Sequence, residues 1–261
     1  MRKKLLASLL CAAMVLTMAG CGSKKSGTDM ENVKSKGTLV VGITDFAPMD
    51  YKDEAGNWIG FDADLAKEFA KSLGVEVSFV EIDWDNKIME LDGGTIDCVW
   101  NGMTLTSEVT SAMECSTAYC NNSQIVIVKS DVADSYQTTD SLKELNFAVE
   151  TGSAGAEQAE EYGLSYTEVS NQANALMEVE AGTCDGAIID SLMAAAMVGE
   201  GTSYSDLTYT VGLNSEEYGV GFRKGSDLAA ELNSFLDAKY ADGTLQDIAT
   251  TYGVQAALIA R

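Results

Sequence analysis

The stretch at residues 96–106, IDCVWNGMTLT, constrains the fold more than any other. An apolar run from Ile96 to Trp100 breaks abruptly into Asn101-Gly102-Met103-Thr104, which reads as a small polar loop. A buried parallel strand has this form where it delivers the chain into a cleft. Its β-branched and aromatic residues come first, followed by residues whose backbone can be approached closely. Upstream, residues 39–43 form an apolar run of strand length, and the chain's only proline, Pro48, fixes the loop that follows. Asp62 then opens a helix in which Leu65, Phe69 and Leu73 recur every four residues, and Gly74 closes it. Val75, Val77 and Phe79 alternate as a strand. Asp83 or Asp85 caps a second helix with Trp84, Ile88 and Leu91 on one face, ended by Gly93-Gly94. Strand, helix, strand, helix, strand is the order of an α/β lobe with a parallel sheet.

The pattern then restarts. Residues 123–129 form another apolar strand, and the polar segment 130–141 separates it from a new series. That series runs strand 147–149, helix to Tyr162, strand 166–169, helix 171–181, strand 187–190 and helix 191–198. Gly94-Thr95-Ile96-Asp97 and Gly182-Thr183-Cys184-Asp185 echo each other, each after a helix and before a strand, where a duplicated lobe would put them. A late strand at 218–223 and helices at 228–240 and 245–252 finish the chain.

The N-terminus, MRKKLLASLLCAAMVLTMAGC, has three basic residues and then an apolar run too short to span a bilayer, ending in small residues. It reads as a secretory signal over residues 1–20. Met18-Ala19-Gly20-Cys21 resembles the bacterial lipobox, which makes Cys21 the lipidated residue and 21–36 a polar, flexible linker. The formal charge is −23, and loss of Arg2, Lys3 and Lys4 with the signal deepens it to −26. Such a field repels nucleic acid and anionic headgroups. No histidine occurs in the chain and no CxxC spacing, so neither a metal site nor histidine acid–base chemistry is expected. Cys98 and Cys184 sit in strand-like settings and read as buried thiols; a Cys115–Cys120 disulfide stays open.

The order LVVGITDFAPMDYKDEAGNWIGFDADLAKEF, GGTIDCVWNGMTLT, AVETGSAG, CDGAIIDS, EEYGVGFRKGS, ADGTLQDIATTYG resembles the family-3 periplasmic-type solute-binding proteins of polar amino-acid ABC importers. The resemblance runs from about Gly37 to Gly253. It implies an α/β, two-lobed periplasmic-binding-protein-like fold of type II, each lobe a sheet flanked by helices. Residues 37–124 and 219–261 would form lobe 1 and residues 125–218 lobe 2, with two crossover strands as the hinge. It also implies a ligand-binding set. Phe46 would stack on the ligand, and Asn101, Gly102 and Thr104 would face its carboxylate. Ser153 and Ala154 would offer a helix N-terminus, and Asp190 would take an α-ammonium. Trp84 and Lys87 would line the cleft, with Asp45 beside the first strand. Read from the residues alone, Trp84 and Trp100 fit either cleft or core, Asp45 an Asx turn, and Asp190 a helix cap.

One departure stands out. Family members carry an arginine clamp for the α-carboxylate where this chain has Val109. Either Lys87 supplies the missing charge, or the ligand lacks a clamped carboxylate. The implied function is capture of a polar amino acid or related zwitterion by a monomeric lipoprotein on the outer face of the cell membrane, without cofactor. Its partners would be an ABC permease and its ATPase. The alternatives are a dehydratase-like enzyme or a ligand sensor on the same fold.

Overall fold

The computed structural model describes residues 27–261; the signal and Cys21 lie outside the described residues. Helix α1, Asp29–Lys36, stands where the sequence reading expects flexible linker. This is a correction with a local cause: Thr28 and Glu31 form a reciprocal capping box, and Gly37 ends the helix in a left-handed conformation at φ 73°. Asp29 pairs with Arg223, and Asp227 accepts the Met30 N–H, so this polar helix is tied to the far end of the chain.

The first lobe continues through β1 (Thr38–Ile43), the short strands β2 (Tyr51–Lys52) and β3 (Trp58–Ile59), α2 (Phe61–Leu73) and β4 (Glu76–Glu81). A 3-10 turn at Trp84–Asn86 leads into α3 (Lys87–Gly93), then β5 (Cys98–Thr104), α4 (Ser107–Ala112), β6 (Glu114–Cys115) and β7 (Cys120–Asn122). The second lobe holds β8 (Gln124–Lys129), β9 (Asn146–Glu150), α5 (Ala154–Tyr162), β10 (Ser165–Val169), α6 (Gln172–Ala181), β11 (Gly186–Asp190), α7 (Ser191–Met197) and β12 (Leu207–Gly212). Strand β13 (Glu216–Phe222) returns to the first lobe, where α8 (Leu228–Ala241) and α9 (Thr244–Thr251) also pack.

The two sheets share one plan. The first runs β4-β1-β5-β13-β6, with β7 also on β13, and the second runs β10-β9-β11-β8-β12. In each, three parallel strands are followed by an antiparallel one, β13 or β8, that the chain enters straight from the opposite lobe. The sequence echo is the same device built twice. Gly94 and Gly182 each end a helix at φ 76°, and Asp97 and Asp185 each accept, at 2.8 Å, a backbone N–H of the neighbouring strand, from Val40 and Asn146.

Several local expectations change. Asn101–Thr104 is strand, not loop: β5 runs on to Thr104 because β13, more than a hundred residues later, pairs with it from Tyr218↔Thr104 onward. Asp62 does not cap α2; Gly60 holds that position, and the buried Asp62 carboxylate turns inward. Asp83 precedes the 3-10 turn without a side-chain capping bond. Helix α4, six residues with Val109 alone buried, and strand β12 are additions to the sequence reading. Trp100 is core, fully buried edge-on to Phe69. Cys98, Cys115, Cys120 and Cys184 are all free thiols, which removes the Cys115–Cys120 pairing.

Candidate functional site

The C-terminal ends of the parallel strands of both sheets face one cavity, where α/β sheets place ligands. Phe46, Trp84, Lys87, Asn101, Gly102 and Thr104 line it from the first lobe, and Ser153, Ala154 and Asp190 from the second. Asp45 is the exception. It is exposed beside β1 and is not among the residues that line the cavity. The structure adds lining residues that sequence reasoning did not single out, chiefly Glu108, Glu150, Glu157 and Gln172.

The first-lobe wall is held from behind. The Asn101 side chain accepts from Thr44 N–H (3.0 Å) and Thr44 Oγ1 (2.8 Å), and donates to Thr44 O and Asp50 Oδ2. This fixes the end of β1, from which Phe46 projects. Gly102, at φ 54°, lets Phe46 lie directly on the strand: a Cβ there would stand 2.5 Å from the Phe46 ring. The Gly102 N–H donates to Asp62 (2.6 Å), whose other partner is the Tyr119 hydroxyl, and the Thr104 hydroxyl donates to Glu216 (2.9 Å). Of the groups the resemblance sets before a ligand carboxylate, the Gly102 N–H and the Thr104 hydroxyl are engaged in the wall itself.

The second-lobe wall supplies the free donors. Ser153 caps α5 by accepting the Ala156 N–H at 3.2 Å. The Ala154 and Gly155 N–H groups therefore fall in the first turn, where a helix has no acceptors of its own. Asp190 occupies the N-cap position of α7 without making a cap bond. Its carboxylate instead receives the Tyr218 hydroxyl (2.5 Å), Gln124 Nε2 (3.1 Å), Asn122 and Gln172. Burial, with Glu216 nearby, pushes its pKa up to about 7.

Glu150 ends β9 as Asp190 ends β11, a charged residue at the mouth of an otherwise apolar strand. It is 3% exposed, and its Oε1 has no hydrogen-bond partner. Burial first, then the charge of Asp190, pushes it up to about 8 against the opposing pull of Lys87.

Among the described residues, Lys87 is the only basic one that lines the cavity, and it is 5% exposed. Its ammonium donates across the cleft to Gly152 O at 3.0 Å, also reaches Trp84 O at 3.3 Å, and lies 5.0 Å above the Trp84 ring. Burial lowers its pKa, and Glu108 and Glu150 are the first charges to oppose that. Val109 lines the same cavity, 2% exposed. Arg223 is engaged elsewhere, by Asp29, Asp97 and the Ile96 carbonyl. The lining thus sets four carboxylates against one ammonium.

Comparison with known proteins agrees with this architecture. Residues 39–255 match the model of the bacterial extracellular solute-binding proteins, family 3. The chain is 30% identical to the arginine-binding extracellular protein ArtP of Bacillus subtilis, over 94% of this chain and 96% of that one. A solved substrate-binding protein of an ABC uptake transporter from Streptococcus pneumoniae, with bound histidine, superposes with a TM-score of 0.80 at 28% identity, covering 89% of this chain and 99% of that one. An ancestral amino acid-binding protein, a precursor of cyclohexadienyl dehydratase, gives a TM-score of 0.78 at 32% identity over 85% of this chain and 98% of its own.

Proposed function

We propose a function from one premise: this chain belongs to the bacterial extracellular solute-binding proteins, family 3. It is the substrate-binding component of an ABC importer and acts outside the cytoplasm. Its ligand is an amino acid enclosed between the two lobes, delivered to the permease and its ATPase. The observation that carries this reading is the meeting of Asp190 and the first turn of α5 in one cavity with Lys87 and Phe46. An α-ammonium fits Asp190, a charge-assisted contact. The carboxylate fits the Ala154 and Gly155 N–H groups, and Lys87 stands in for the arginine that Val109 displaces. It does so as a point charge and not a fork.

Further parts of the reading concern the chain's setting. Cys21 would carry a lipid anchor, and residues between it and α1 would tether a monomer to the outer face of the membrane. The carrier reading is preferred to the dehydratase one, even though one neighbour is a dehydratase precursor. Without histidine, proton transfer would fall to Glu150 and Asp190, and Asp190 is already surrounded by four hydrogen-bond donors.

Isothermal titration of the purified protein with the common L-amino acids, followed by mass analysis of the bound compound, tests this. Tight one-to-one binding with the ligand recovered unchanged is expected. Absence of binding by every amino acid, or recovery of a converted product, would overturn it.

A further inference from the structure

A zwitterionic ligand uses one cation and one anion, and Asp190, Lys87 and the first turn of α5 are sufficient for both. Glu150 is then left over. It lines the cavity, is 3% exposed, and one of its carboxylate oxygens has no hydrogen-bond partner. A buried acceptor without a donor is costly, and a buried carboxylate more so. Lys87 acts on it only through charge: its ammonium donates to the Gly152 and Trp84 carbonyls and makes no hydrogen bond to Glu150. Asp190, in contrast, is already surrounded by donors from both lobes. On the rim, Glu108 and Glu157 add the same sign.

Resting on the amino-acid reading above, we infer that Glu150 is the receptor for a second cation on the ligand, so that the site selects amino acids with a positively charged side chain. Glu150 lies at the end of β9 and Asp190 at the end of the adjacent strand β11. A ligand with its ammonium on Asp190 therefore passes beside Glu150. An uncharged side chain would leave Oε1 buried without a donor, whereas a guanidinium or amine brings the missing one. Phe46 lines the same cavity from the first lobe, whereas the Trp84 ring already carries the Lys87 ammonium 5.0 Å above it.

The test compares charged ligands with neutral isosteres. Titration calorimetry of the wild-type protein and Glu150→Gln uses L-arginine against L-citrulline and L-lysine against L-norleucine. The wild type is expected to favour the charged member of at least one pair by about 10- to 100-fold, as a buried charge-assisted hydrogen bond implies. In E150Q that preference should shrink to about threefold or less, with a melting curve showing the variant folded. A wild type that binds amino acids with no preference for the charged member overturns the inference while the carrier reading stands. So does a folded E150Q that keeps the preference. Because the wild-type ratio is informative alone, an unfolded variant does not rescue the inference. If no amino acid binds at all, the carrier reading falls, and this inference with it.

Discussion

At the scale of single residues, what the sequence conceals is where a side chain's hydrogen bonds go. Asp190 was legible because an acid closes an apolar strand. Glu150 carries the same signature at the end of β9, yet the resemblance gives it no role and the sequence reading did not single it out. Asn101, Gly102 and Thr104 were placed in the cavity wall, but their donors serve Thr44, Asp50, Asp62 and Glu216, partners that no spacing rule connects. Lys87 admits a direct test. If its ammonium holds the ligand carboxylate, Lys87→Ala should weaken L-arginine by about 10-fold or more, the scale of a charge-assisted hydrogen bond. Agmatine, which lacks the carboxylate, should change by no more than about twofold. Titration of both ligands against both proteins decides it; equal losses for the two would mean that Lys87 only braces the cleft through Gly152.

At the scale of elements, periodicity and caps located most helices and strands, because each was announced by its own residues. Helix α2 shows Leu65, Phe69 and Leu73 every four and all are buried, each contributing about 1.5–3 kcal/mol. What failed were elements defined by distant partners. The end of β5 is strand because β13 pairs with it, and α1, capped by its own residues, is also held by Arg223 and Asp227. The wall of the site depends on such an element. Gly102 combines a left-handed backbone with the Phe46 ring lying where a Cβ would go. Gly102→Ala should therefore cost about 2 kcal/mol or more, from the backbone alone at first and then from displacement of the ring. Chemical denaturation measures that loss, and calorimetry should show weaker ligand binding as Phe46 shifts. An alanine variant as stable and as tight-binding as wild type would mean that β5 does not position the ring.

At the scale of the whole molecule, the chain gathers acids where burial keeps them from ionising. Asp62 and Asp190 are pushed up to about 7 and Glu150 up to about 8, burial being the first cause in each. Around Glu150, Asp190 adds to the upward push, and Lys87, Gln172 and Thr44 oppose it. In the unfolded chain these carboxyls titrate near 3.8 and 4.5. Between those values and the folded ones, the native state holds protons that the unfolded state has released. Their contribution is therefore complete at low pH and is lost as pH rises through about 7 to 8. The carboxylates whose pKa is lowered, such as Asp53 and Asp242, act in the opposite sense, but only below about pH 4. The ligand-free protein should thus melt highest near about pH 5 and progressively lower toward about pH 8.5. The growing self-repulsion of a chain of formal charge −23 adds to the fall. A cationic ligand reverses the logic locally, because it favours the ionised Glu150 and Asp190 and so releases protons on binding. Saturating arginine should raise the melting temperature more at about pH 8 than at about pH 5 and flatten the decline. Thermal scans across that range with and without ligand measure both slopes. A ligand-free melting temperature that is level or rises from about pH 5 to 8 would mean that these carboxyls are ionised in the folded protein.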